Sequence, residues 1–117
     1  MKQVIKIKRI YEAPSATDGF RILVDRVWPR GIRKEDAAIV EWAKDVAPST
    51  GLRKWFNHEP ERWVRFQGKY ATELKNNPAV KNLKDAIKGK KTITLLYSAK
   101  DEEHNQAVVL QKFLSGR

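Results

Sequence analysis

Three charged side chains, Asp25, Arg26 and Arg30, and the indole of Trp28 crowd into the run Val24-Asp25-Arg26-Val27-Trp28-Pro29-Arg30-Gly31. Pro29 lacks a backbone donor and drives Trp28 into extended geometry. Gly31 permits a sharp left-handed exit. The run therefore reads as a stiff loop bearing one carboxylate, two guanidinium groups and one indole. A guanidinium on a rigid loop binds phosphate or carboxylate through two parallel hydrogen bonds. On this reading Arg26 and Arg30 are anion ligands and Asp25 orients an arginine. The competing reading has Asp25 pair with an arginine only to hold the loop.

A second polar group comes late, in Tyr97-Ser98-Ala99-Lys100-Asp101 and His104-Asn105. Lys100 adds a cation. His104 and Tyr97 are candidates for proton transfer, and histidine does so near neutral pH. Asp101 has the character of a helix N-cap, with Glu102, Glu103 and His104 in the first turn. Free amide groups at a helix start attract anions. Asp101 would occupy them, leaving Lys100, Arg26 and Arg30 to hold the anion. The plainer role for His104 is a hydrogen bond to Glu102 or to a backbone carbonyl. Asn57-His58-Glu59-Pro60 reads as a capped turn before a helix, so His58 is structural.

Both groups follow strand-like segments. Residues 20–27 are rich in β-branched and aromatic types after an Asp-Gly turn, and Thr92-Ile93-Thr94-Leu95-Leu96-Tyr97 has the continuous apolar character of a buried strand. If these strands are parallel neighbours, their carboxyl ends bring the two polar groups together, where α/β sheets collect ligands. A first strand runs through Val4, Ile5, Ile7 and Ile10. Lys34 to Ala38 suits a short helical turn. Ile39 to Ala47 is ambiguous, and its alternation favours a strand. Ser49 or Thr50 can cap a short helix through Leu52, Trp55 and Phe56. Trp63, Phe66, Tyr70 and Leu74 share one face of a helix over about 60–76, as a core stripe. Val80, Leu83 and Ile87 define another helix, ending at Gly89, and Ala107 to Leu114 a last one. The expected fold is α/β: one domain, with a small mixed, largely parallel sheet of about four strands and four to five helices.

The chain has 117 residues, net charge +10, two histidines and no cysteine. That length suits one core. The absence of cysteine excludes a disulfide framework, a thiol nucleophile and a zinc–thiolate site, and suits the cytoplasm. With two histidines a dedicated metal site is not expected, nor is any cofactor. The N-terminal residues alternate charged and apolar, unlike a signal peptide, and no stretch has the length of a membrane span.

The runs Val24 to Gly31, Trp42 to Ser49, Leu52 to Phe56 and Leu95 to Asp101, with His104-Asn105, resemble the YeaO-like branch of the domain of unknown function family 488. The resemblance extends from about Ile7 to Leu114. It implies a small bacterial or archaeal cytosolic α/β protein without an agreed activity. The wider family often carries a cysteine at the end of the last strand and a Cys-His-Arg triplet in the following helix. Tyr97 stands at the first place and His104-Asn105 loosely at the second, so thiol chemistry does not carry over.

The leading expectation is a pocket for a phosphate- or carboxylate-bearing small molecule or nucleotide, with Arg26, Trp28, Arg30, Lys100, Asp101 and Asn105 as ligand contacts. His104, Tyr97 and Asp25 would do any chemistry. The alternative is a non-catalytic nucleic-acid-binding protein using its basic surface, in which Lys6, Lys8, Arg53, Lys54, Arg62, Arg65 and the lysines of 81–91 would share a face. Such binding would be weak and sequence-blind. An interaction module is a third reading, and the oligomeric state is not legible.

Overall fold

A computed structural model describes residues 3–116. Four strands form one sheet: β1 (Val4–Arg9), β2 (Phe20–Leu23), β3 (Glu41–Trp42) and β4 (Thr92–Tyr97), in the order β1-β4-β2-β3. All three pairings among the described residues are parallel, which narrows the mixed, largely parallel expectation. β4 lies inside, with Leu95 paired to Ile7 on one side and to Ile22 on the other. That position explains its continuous apolar character, since both of its faces are covered.

Alternation along the strands separates two apolar layers. Ile22, Val24, Ile93, Leu95 and Tyr97 face the larger one. It is completed by α2 (Thr50–Phe56), α3 (Trp63–Lys75), α4 (Ala79–Ile87) and α5 (Gln106–Leu114). Leu23 and Leu96 face a smaller layer with Ile10 and with Ala37 of α1 (Lys34–Ala37). Three members of the expected stripe, Phe66, Tyr70 and Leu74, are buried core, Trp63 is half-buried against them, and the Tyr70 hydroxyl donates to the Val46 carbonyl at 2.6 Å.

Gly19 immediately precedes β2 at φ +68°, where a Cβ would lie 2.4 Å from the Thr92 carbonyl oxygen, so only glycine fits. Beneath the sheet, Asp18 accepts from Arg21 and from Lys8. Arg21 also donates to the carbonyls of Ala38 and Ala37, at 3.0 and 2.8 Å, fastening the end of α1 to β2.

Two expected elements are corrected. The segment Ile39 to Ala47 contributes only the two residues Glu41–Trp42 to the sheet. Its partner β2 ends at Leu23, and the chain then turns into a 3-10 segment, Lys44–Val46. Alternation in this stretch comes from a bent segment crossing a sheet edge. The last helix starts at Gln106, and its N-cap is Asn105, whose side chain accepts from Ala107 N–H at 2.9 Å and Val108 N–H at 3.2 Å. Asp101 caps a separate turn, accepting from Glu103 and His104 N–H at 2.9 and 3.0 Å. Asp and Asn are about equally good caps. The apolar positions Ala107, Val109 and Leu110, all buried, decide which of the two starts the helix.

Candidate functional site

β2 and β4 are parallel neighbours, and the chain leaves them toward opposite faces of the sheet. After β2 it passes to α1 in the smaller layer; after β4 it passes to α5 in the larger one. Such a divergence opens a crevice beyond the carboxyl ends of the strands, the usual ligand position in parallel α/β sheets. A cavity of about 540 Å³ lies there. One wall is Asp25, Arg26 and Val27, and another is the loop Ser98 to Asp101 with His104. Ala47, Pro48, Phe56 and Phe66 supply apolar surface, and Arg53 and His58 complete the lining.

Asp25 is buried where β2 ends, 7% exposed. One oxygen accepts from Ser98 N–H at 3.0 Å and the other from the Gln106 amide. Its backbone carbonyl accepts from Trp42 Nε1 at 2.7 Å. Burial raises its carboxyl pKa above the ordinary value, and the bonds from Ser98 and Gln106 and the charge of Arg53 offset part of that rise. Among the described residues Asp25 forms no ion pair with an arginine. It joins the exits of β2 and β4 to the first residue of α5.

Arg26 donates to the carbonyls of Pro48 and Ala47, at 3.1 and 3.0 Å. Those bonds pin the segment before α2 against the cavity wall. Arg30 is exposed and lies away from the cavity; its carbonyl accepts from the Tyr11 hydroxyl. Trp28 packs edge-on to Trp42, centroids 5.3 Å apart, in the smaller layer, with its Nε1 donating to the Ile32 carbonyl. Tyr97 is 1% exposed within the larger layer, and burial pushes its phenol pKa up. Trp28, Arg30 and Tyr97 thus stand outside the cavity lining, and Asp25, Arg26, Lys100, Asp101, His104 and Asn105 belong to it.

His104 is held firmly. Its Nδ1 lies 2.9 Å from an Asp101 oxygen, and its ring stands edge-on to Trp63, centroids 5.2 Å apart. An ionised carboxylate can only accept, so Nδ1 carries the proton and Nε2 is the remaining polar atom of the ring. Amide and imidazole hydrogen bonds keep the Asp101 carboxyl below its ordinary pKa. Asn105 spends its side-chain oxygen on α5 and its amide on the Asp101 carbonyl at 2.9 Å, which makes it a structural member of the wall.

Arg53, His58 and Gln106 are cavity residues that sequence reasoning did not assign to a site. Arg53 sits on α2 and is exposed. His58 follows Asn57 at the end of that helix, and both have positive φ, +53° and +47°. Nothing in their spacing relates them to residues 25 or 104. Both histidines of the chain therefore meet at one cavity. Among the described residues no group of three or more His, Cys, Asp or Glu side chains is arranged to hold a metal, and no helix is long and apolar enough to cross a membrane.

Fold and cavity define a small parallel α/β protein with a crevice beyond the carboxyl ends of its central strands. The chain belongs to the DUF488 family: the model described as "Inactive DUF488-N3 subclade" matches residues 4–117. It is similar to the uncharacterized protein YeaO of Escherichia coli K12, at 47% identity over 111 residues, 94% of this chain and 96% of that protein. It is also 40% identical over 113 residues to the uncharacterized protein Rv3073c of Mycobacterium tuberculosis H37Rv, 97% of this chain and 95% of that one. No solved structure matches.

Proposed function

We propose that the cavity binds a small molecule carrying a phosphate or carboxylate group and holds it without covalent chemistry. The observation that carries this reading is the pair Arg53 and Lys100. They come from α2 and from the loop after β4, both are exposed, and both border the same cavity. Neither forms an ion pair among the described residues, so their charge is available to a ligand. Arg26 reinforces the positive side of the wall, although two backbone carbonyls already occupy part of its fork. His104, fixed by Asp101 through Nδ1, leaves Nε2 to accept from a hydroxyl or N–H of the ligand.

Several features support binding without turnover. The chain has no cysteine. The Ser98 hydroxyl lies against Asp25, and among the described residues no hydroxyl bonds to His104. The matching family description carries the word "Inactive", which fits a site without turnover.

The test is calorimetric titration with inorganic phosphate, ribose 5-phosphate and acetate against Arg53→Ala and Lys100→Ala. Each variant should weaken binding at least about tenfold, since a charge-assisted hydrogen bond is worth about 1.5–3 kcal/mol, while melting stays unchanged. Anion affinity untouched by both substitutions would remove the reading.

Nucleic acid on the basic surface is the second reading, favoured by the net charge of +10. Several of its cations are already engaged: Lys8 with Asp18, Arg62 with Glu59 and Lys81 with Asp85. What remains supports phosphate neutralisation only, so any affinity should collapse with added salt.

A further inference from the structure

We infer that the ligand carries a flat unsaturated ring beside its anionic group. This rests on the anion-binding reading above and specifies what fills the rest of the cavity.

The first argument is one of space. A cavity of about 540 Å³ is far larger than an inorganic anion and falls within the range of organic ligand sites. Arg53 and Lys100 stand at its exposed edge, whereas Phe56 and Phe66 are 6% and 2% exposed and form its depth. An anionic head held at the rim leaves apolar volume beneath it. Inorganic phosphate or acetate bound there would leave that volume unfilled.

The second argument is the character of the lining. Phe56 stacks on Phe66 with centroids 4.3 Å apart, and its ring lies 6.3 Å from His58 and 6.0 Å from Trp63. Trp63 in turn meets His104. Phe56, Phe66, His58 and His104 all border the cavity, so it is edged by rings from three separate segments of the chain. Ring faces and edges offer contact area at low entropic cost to another ring.

The third is His58 itself. Asn57 has an ordinary reason for its positive φ, because it ends α2 and returns its N–H to the Arg53 carbonyl. His58 repeats the left-handed conformation at φ +53°, in a turn closed by Glu59 N–H to the Phe56 carbonyl at 3.0 Å. Glycine would adopt that conformation freely, yet an imidazole stands there on the cavity wall. Backbone strain of this kind gathers at ligand sites. Gln106 adds a polar edge: its amide nitrogen serves Asp25, and its oxygen has no partner among the described residues. A ring N–H or an exocyclic amine would satisfy it.

Nucleoside monophosphates and aryl carboxylates share this chemistry. The experiment titrates the full chain with the four 5′-ribonucleoside monophosphates against ribose 5-phosphate, and with benzoate against acetate. The expected result is an advantage of about tenfold or more for the ring-bearing member of one pair, equivalent to one stacked base. The pair that shows it identifies the anion. His58→Gly, which relaxes the turn, should keep or raise the melting temperature and reduce the ring advantage severalfold. Ringless anions binding as tightly as their ring-bearing counterparts would overturn this inference and leave the anion site standing. Failure of every anion to bind would overturn both. An undiminished ring advantage in His58→Gly, with Phe56→Leu also silent, would overturn the seat described here.

Discussion

The backbone N–H of Ser98 donates to Asp25 at 3.0 Å, across 73 residues, and ties the end of β4 to the exit of β2. With the Gln106 amide on its other oxygen, the carboxylate is the point where three segments of the cavity wall meet. Its burial, offset only in part by these donors, has a definite thermodynamic sign.

Because burial raises the Asp25 pKa above 3.8, the folded protein binds this proton more tightly than the unfolded chain. The corresponding contribution to stability is present in full below the unfolded value and is lost as pH rises through the folded one. Asp25→Asn removes that dependence. Asparagine keeps an acceptor for Ser98, and Gln106 can turn its amide to face it. Urea midpoints of the two proteins, compared from about pH 4 to about pH 7, should shift toward the variant as pH rises. A difference constant with pH would show that Asp25 is ionised with ease.

Asp18 behaves in the opposite sense. Burial favours its neutral form, but the Ser15 N–H, Lys8 and Arg21 outweigh it and hold the carboxyl below its ordinary pKa. Its contribution is therefore present above the unfolded value and lost as pH falls through the folded one. Asp18→Asn leaves Arg21, whose side chain is 6% exposed, without its counter-charge. Removing one partner of a buried pair costs about 3–5 kcal/mol. Chemical denaturation at neutral pH measures it, and a loss under about 1 kcal/mol would mean that water reaches Arg21.

Phe66→Ala should destabilise by about 3–5 kcal/mol, as for other large-to-small changes in a core. Tyr70→Phe keeps the ring and orphans the buried Val46 carbonyl, so a smaller loss of about 1–3 kcal/mol is expected. The order of the two midpoints checks the assignment, and Tyr70→Phe proving the worse would contradict it.

The two neighbouring caps separate cleanly. Asn105→Ala should cost about 1 kcal/mol, the ordinary value of a lost N-cap. Asp101→Ala should leave α5 intact and release the His104 ring, which NMR would report as altered imidazole chemical shifts and greater side-chain mobility. Equal destabilisation by both substitutions would argue that Asp101 and Asn105 act as one cap.

Much of the architecture was legible from residue types. Val, Ile and Leu runs placed β2 and β4, and the three- and four-residue spacing of Trp63, Phe66, Tyr70 and Leu74 placed α3 and its buried face. A cap at Ser49 or Thr50 for α2 was legible from the same local chemistry, and the structure uses Ser49, whose hydroxyl accepts from the Leu52 N–H. Local rules failed where two candidates satisfied them equally, as with Asp101 and Asn105, or where a partner strand ended early, as at Glu41–Trp42.

Composition and local pattern determined a parallel-leaning α/β domain with polar residues after its two central strands. Only the tertiary structure decided which of those residues share a cavity. Arg26 and Arg30 are four positions apart, yet one lines the cavity and the other lies away from it, because Pro29 and Gly31 carry the chain off toward α1. Arg53 and His58 arrive from α2, whose position depends on the packing of Phe56 against Phe66 and on Arg26 holding the carbonyls of Ala47 and Pro48. Spacing along a chain reports periodicity within one element. The meeting of elements depends on buried surface and hydrogen bonds between residues far apart in sequence, and no local pattern encodes it.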